Sequence, residues 1–161
     1  MNIVELEERH LPDALAIYNH YVAHTTVSFD LEPLDLDDMR SKALSGDNRF
    51  RSYAIVEGDS LIGYALLARH KAKPAYDVTA EVTIYLAPAH LGLGIGPAAV
   101  AHLEAMAKEL GFHSLVAVIC TENERSARLF ERLGYERCAL FREVGRKFDR
   151  WLDVASYQKI I

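Results

Sequence analysis

The stretch from Glu81 to Gly111 constrains this chain most. Glu81-Val82-Thr83-Ile84-Tyr85-Leu86 reads as a strong strand. Ala87-Pro88-Ala89-His90 breaks it, and Leu91-Gly92-Leu93-Gly94-Ile95-Gly96 follows. Pro97–Leu110 then carries apolar residues at helical spacing, with Gly111 where a left-handed C-cap belongs. A strand that passes through alternate glycines into a helix builds an anion site. Glycine lets the backbone approach a phosphate closely, and the first turn of a helix has unbonded N–H groups and partial positive charge. Three alternate glycines are more than a tight turn needs. Gly94-Ile95-Gly96-Pro97-Ala98-Ala99 also satisfies the G-x-G-x-x-A dinucleotide fingerprint. That fold wants the motif in its first βαβ unit and an acid at the end of the next strand. Here the motif lies mid-chain and Glu122 comes a little late, so a nicotinamide site is the weaker reading.

The rest of the chain fits a mixed order of elements. Asn2–Glu5 reads as a strand and Pro12–Val22 as a helix, with Ala14, Leu15, Ile17, Tyr18 and Tyr21 at helical spacing. Thr25–Phe29 is short and β-prone. Leu36–Leu44 reads as a second helix ending near Gly46. Tyr53–Glu57, Gly58-Asp59 and Leu61–Ala68 form a hairpin pattern. Leu115–Cys120 reads as an apolar strand, and Thr121-Glu122-Asn123-Glu124 fits a capping box opening a helix that Gly134 closes. Arg137–Val144 and Trp151–Gln158 read as final strands. The expectation is a mixed α/β (α+β) fold rather than equal βαβ units. No repeat or linker interrupts it, so residues 1–161 read as one domain.

Charge and composition narrow the function. The formal net charge is −5, so no global basic field exists to hold nucleic acid or an anionic membrane, and an anionic ligand needs a local site. No apolar run approaches the roughly 20 residues that span a bilayer, and the acidic N-terminus lacks a signal-peptide core. The two cysteines, Cys120 and Cys138, suit a reducing compartment, and a cytoplasmic location is the default expectation. Of the seven histidines, only His20 and His24 have ligand spacing, with no third ligand beside them. No metal is expected.

Several motifs together resemble one family. The glycine loop resembles the pyrophosphate loop of GNAT-type N-acetyltransferases, Gln/Arg-x-x-Gly-x-Gly/Ala. Here Leu91 stands at the polar position, and Pro97 removes an N–H often used on the pyrophosphate. Lys71-Ala72-Lys73-Pro74-Ala75-Tyr76 with Thr79-Ala80-Glu81 resembles the phosphinothricin (methionine sulfone/sulfoximine) acetyltransferase family. Ile17-Tyr18-Asn19-His20-Tyr21 and Thr25–Phe29 are similar to its first helix and following segment, Ala117-Val118-Ile119, Asn123, Ser126 and Leu133-Gly134-Tyr135 to its later strand and helix, and Gly145–Val154 to its C-terminal turn and strand. The resemblance runs from about Ile3 to Gln158. It implies a central, mostly antiparallel sheet flanked by helices, acetyl-CoA as cosubstrate, a small-molecule amine as acceptor and a homodimer.

The resemblance also implies roles. Glu81 is the candidate general base, acting through water; a partly desolvated carboxylate suits that task. Ile84, Tyr85 and Leu86 offer backbone groups to the pantetheine arm. Gly92, Leu93, Gly94, Ile95, Gly96 and Pro97 form the pyrophosphate loop. Asn123 and Ser126 are cofactor contacts, though helix capping serves Ser126 equally well. Phe29, Lys71, Lys73, Tyr76 and Arg142 are substrate-side candidates. Phe130 stands where relatives carry a Tyr or His that protonates the leaving thiolate, and it has no proton to give. Water or Tyr135 is left for that step, and core packing is the other role for Tyr135. Two further readings stay open. One is the same fold acting on an antibiotic, polyamine or protein N-terminus; the other is an acyl-CoA-binding module without catalysis.

Overall fold

The computed structural model covers Met1–Ile161. Its strands are β1 (Asn2–Glu5), β2 (Ser52–Glu57), β3 (Ser60–Arg69), β4 (Thr79–Leu86), β5 (Ser114–Cys120), β6 (Glu136–Lys147) and β7 (Arg150–Ile160). Its helices are α1 (Leu11–His24), α2 (Leu36–Ala43), α3 (Ile95–Glu109) and α4 (Glu124–Arg132). The strands form one sheet in the order β1-β2-β3-β4-β5-β7-β6. Every neighbouring pair is antiparallel except β4–β5, which the α3 crossover makes parallel. No helix is long and apolar enough to cross a membrane.

Turn chemistry sets the hairpins. Gly58 (φ +60°) takes the first place of the two-residue β2–β3 turn, where a primed turn needs positive φ. Phe148 and Asp149 both hold positive φ between β6 and β7, the twin left-handed pair of a tight hairpin. Each helix has a readable start. Pro12 sits in the first turn of α1. The Asp35 carboxylate accepts from the Asp38 N–H at 2.8 Å, and Asp38 accepts from the Asp35 N–H at 3.1 Å.

The sheet separates two apolar layers, and strand alternation assigns residues to each. Along β3, Ala65 and Leu67 join the larger cluster with Val100, Leu103, Leu115 and Phe130 under α3 and α4. Tyr64 and Leu66 join the other, with Leu11, Tyr18, Val22 and Met39 under α1 and α2. β4 alternates in the same way: Val82 and Leu86 enter the α3 layer, and Tyr85 packs on the α1 layer.

Three local expectations are corrected. Thr25–Phe29 forms no strand: the Thr25 hydroxyl bonds back to the Tyr21 carbonyl at 2.8 Å and accepts the Val27 N–H at 3.1 Å, which turns the chain. Thr121 does not open α4; Asn123 is its N-cap. The last two strands are longer than their patterns, because β6 carries bulges between Arg137 and Ala139 and between Phe141 and Gly145 that interrupt its alternation.

Gly63 of β3 faces Leu86 at the end of β4. A Cβ there would lie 2.5 Å from Leu86 Cδ2 and 2.7 Å from the Tyr85 carbonyl oxygen. Gly63→Ala is therefore expected to cost about 1–3 kcal/mol, read as a lower denaturation midpoint. An unchanged midpoint would show that β3 and β4 separate there without penalty.

Candidate active site

β4 and β5 pair over only three positions, Thr79–Ser114, Ala80–Leu115 and Glu81–Val116. Beyond them β4 stays with β3 as far as Leu86, and β5 stays with β7 as far as Cys120. The two strands therefore part in a V. The cleft between them has a volume of about 560 Å³, with Val82–Leu86 along one wall and Ala117–Cys120 along the other. The Ala87 N–H bonded to the Ile62 carbonyl (2.8 Å) fixes the phase of the β3–β4 ladder. By alternation, Ile84 turns its N–H and C=O toward β5, where no strand receives them. Leu86 turns the same way; its carbonyl accepts the Tyr21 hydroxyl at 2.6 Å and its N–H has no strand partner. Such a free edge can take an extended ligand as it would another strand.

The glycine loop closes the mouth. Gly92 (φ +81°) and Gly94 (φ +78°) take left-handed conformations, and Gly94 is the N-cap of α3. The helix thus starts at Ile95, two residues before Pro97, so Pro97 falls in the first turn, where its missing N–H breaks no helical bond. Gly92, Gly94, Gly96 and Pro97 line the cleft. Leu93 stands exposed at the loop tip and Ile95 packs into the α3 layer, so neither side chain lines it. A Cβ on Gly96 would come within 3.1 Å of Leu129 Cδ2, so this glycine lets the start of α3 seat against the middle of α4.

α4 supplies the remaining wall with Asn123, Ser126, Leu129 and Phe130. Asn123 Oδ1 accepts the Ser126 N–H at 3.2 Å, which leaves its Nδ2 to donate elsewhere. Phe130 is buried against Tyr135, edge to face with ring centroids 4.9 Å apart. Tyr135 lies in the core and not on the cleft; burial, then Glu104, raises its phenol far above the usual range. Of the tyrosines that do line the cleft, Tyr21 is bonded to Leu86 and Tyr85 is raised by burial. Beneath them Tyr18, bonded to Asp30 and pushed up to about 12 by burial first, stays neutral at ordinary pH.

Glu81 sits at the apex of the V, at the last β4–β5 pair. Alternation turns it away from Val82 and Ile84, toward the α1 side of the sheet. It is partly buried, with Oε2 3.4 Å from His70 Nδ1. Tyr76 lies edge-on to the His70 ring, centroids 6.1 Å apart, and so joins this neighbourhood. Lys71 and Lys73 are exposed and make no ion pair, while Asp77 of the same loop is held by Arg49 and Arg69. Phe29 lies over Gly145, and Arg142 is exposed on the β6 bulge; neither is among the residues that line the cleft. His70, Cys120, Arg125 and Arg132 escaped the sequence reading. The first is visible only through the β3–β4 register, which sets Ala68 opposite Glu81. No group of three or more His, Cys, Asp or Glu side chains converges anywhere in the chain.

A sheet split at its one parallel pair, with a glycine loop and a helix N-terminus at the opening, defines an N-acetyltransferase. The family model described as "Acetyltransferase (GNAT) family" matches residues 14–135, and the chain belongs to that family, within its phosphinothricin acetyltransferase branch. It is 41% identical over 157 residues to a phosphinothricin N-acetyltransferase of Streptomyces coelicolor, covering 94% of this chain and 91% of that protein. It is 32% identical over 145 residues to an L-methionine sulfoximine/L-methionine sulfone acetyltransferase of Salmonella typhimurium, covering 88% and 84%. Among solved structures, a GNAT-superfamily phosphinothricin acetyltransferase of Sinorhizobium meliloti in complex with AcCoA superposes with a TM-score of 0.93 at 28% identity, covering 99% of this chain and 88% of that one.

Asn123 caps α4 through Oδ1 and leaves Nδ2 unused by the cap. Asn123→Ala removes the cap and is expected to lower stability by about 1 kcal/mol, whereas Asn123→Asp keeps the cap and loses only the Nδ2 donor. Equal stability of the two variants in denaturant titrations would show that the cap contributes nothing.

Proposed function

We propose that the chain is an acetyl-CoA-dependent N-acetyltransferase for the amine of a small amino-acid-like molecule of the phosphinothricin, methionine sulfone or methionine sulfoximine type. The observation that carries this reading is the parting of β4 from β5 immediately after Glu81. It leaves a free strand edge, apolar walls and an anion site in one cleft, a donor set that fits a phosphopantetheine thioester. Acetyl-CoA, when bound, supplies the activated acetyl group. The acetyl-CoA-bound Sinorhizobium structure and the two curated relatives support the cosubstrate and the acceptor class.

Each group has a task in the proposal. Unbonded N–H groups in the first turn of α3 and the loop of Gly92, Gly94 and Gly96 take the pyrophosphate. Ile84 and Leu86 hold the pantetheine amides along the free edge, with Tyr85 and the Asn123 Nδ2 beside them. Glu81 takes the proton of the acceptor ammonium through water, so that the free amine attacks the acetyl carbon. The new C–N bond forms as the C–S bond breaks. The nitrogen sheds its second proton as the C–S bond breaks, and that proton reaches the leaving thiolate through water, because Phe130 has none to give and Tyr135 lies outside the cleft. Lys71, Lys73 and Tyr76 hold the anionic end of the acceptor, and Phe29 and Arg142 border its pocket. Residues 1–161 act as one domain, and no metal takes part.

Leu140, Phe141, Val144 and Trp151 of β6 and β7 are each exposed, and a homodimer in which a second copy of the chain packs against these two strands would cover apolar side chains among them. The free thiols and an acetyl-CoA-dependent reaction suit the cytoplasm.

Glu81→Gln tests the chemistry. The variant is expected to bind CoA as the wild type does while kcat falls roughly 100- to 10,000-fold, measured as amine-dependent release of CoA thiol. Undiminished turnover would remove Glu81 as the base. Trp151→Glu is expected to shift sedimentation from dimer to monomer; a monomeric wild type would overturn the dimer.

A further inference from the structure

The anion site lacks a cation of its own. From Pro74 to Ala107, a stretch that includes β4, the glycine loop and almost all of α3, there is no lysine or arginine. The loop therefore offers only N–H dipoles to a ligand whose phosphates carry several negative charges. The whole chain is acidic as well.

The charge comes from the opposite wall. Arg125 and Arg132 are the only charged residues among those lining the cleft. With Leu129 they fall at i, i+4 and i+7 of α4, one face of the helix. Leu129 is the residue against which Gly96 seats the start of α3. The two arginines therefore flank, one turn to either side, the place where the unbonded N–H groups of α3 meet α4. Both are exposed, and neither makes a salt bridge, while Arg128 between them is tied to Glu124 at 2.8 Å. Arg125 also stands close enough to influence the Tyr21 phenol at the end of β4, on the mouth side of the cleft. Seven residues of helix separate the pair by about 10 Å, and long flexible side chains at that separation reach two distinct anionic groups.

We propose that Arg125 and Arg132 are the phosphate-binding cations of this cleft, acting from α4 in place of a charged glycine loop and holding the pyrophosphate and the 3′-phosphate of the CoA portion. The inference rests on the acetyl-CoA reading above. An arginine fork on a phosphate is charge-assisted and often bidentate, and its loss removes affinity only for ligands that carry that phosphate.

The test is equilibrium binding by calorimetry with three ligands: CoA, 3′-dephospho-CoA and pantetheine. Wild-type protein is compared with Arg125→Ala, Arg132→Ala, the double variant and Arg128→Ala as a control, with far-UV circular dichroism to verify folding. Each cleft substitution is expected to weaken CoA by about tenfold, and the double variant by more. Pantetheine affinity stays unchanged throughout, and Arg128→Ala binds all three as the wild type does. The arginine that holds the 3′-phosphate is the one whose substitution no longer matters for 3′-dephospho-CoA. Unchanged CoA affinity in the folded double variant would overturn the inference while leaving the acetyl-CoA reading intact, and so would an equal loss for pantetheine. A wild type that binds CoA no better than pantetheine would overturn the phosphate role outright. A wild type that binds none of the three would remove the acetyl-CoA reading and the inference with it.

Discussion

The site depends on a pairing that stops. β4 and β5 run side by side for three residues and then diverge, and the backbone groups that a continuous sheet would consume are left facing an apolar cleft. Unpaired backbone in an apolar setting is costly unless a partner arrives. The structure keeps the two strands apart by giving each a full partner on its other side, β3 for β4 and β7 for β5. α3 and α4 then brace the opening, meeting through Gly96 and Leu129. The free edge is thus built into the scaffold and does not depend on flexibility.

The same divergence sorts the chemistry to two sides of the sheet. Residues of β4 that face α3 present backbone and apolar surface to the cleft. Glu81, one position before the strands part, faces the other way, toward His70 and the loop that bears Lys71, Lys73 and Tyr76. A cosubstrate laid in the V from one side and an acceptor brought to Glu81 from the other would meet at the apex. The tyrosines on the α1 side have pKa values raised first by burial, so they stay neutral near pH 7, and two of them donate hydrogen bonds, Tyr18 to Asp30 and Tyr21 to the Leu86 carbonyl.

Much of this was legible in the sequence. Every strand and helix had a counterpart in the sequence, marked by alternation, apolar runs or helical spacing, or for α4 by its capping pattern and Gly134, and the glycines marked the loop; the β-prone Thr25–Phe29 was the segment with no strand behind it. The misses have physical reasons. α3 begins at Ile95 rather than Pro97 because Gly94 adopts the left-handed conformation and serves as N-cap, a choice made by backbone dihedrals and not by hydrophobic pattern. Asn123 displaced Thr121 as the cap of α4 because the Thr121 N–H is bonded to the Asp153 carbonyl of β7, which holds that residue outside the helix. The parting of β4 and β5 has no signature in either strand: each reads as an ordinary strand, and only the pairing shows where they separate. His70 and the two cleft arginines were missed for the same reason, since their meaning lies in what stands opposite them.

The most direct test of the central claim is release of CoA thiol from acetyl-CoA by the wild-type protein across a panel of amines that includes phosphinothricin, methionine sulfone and methionine sulfoximine. The account predicts release that depends on the amine and is fastest with one of these amino-acid analogues. Measurable binding of acetyl-CoA with no amine-dependent release for any member of the panel would contradict it, and would mean that a cleft shaped for the thioester no longer performs the transfer.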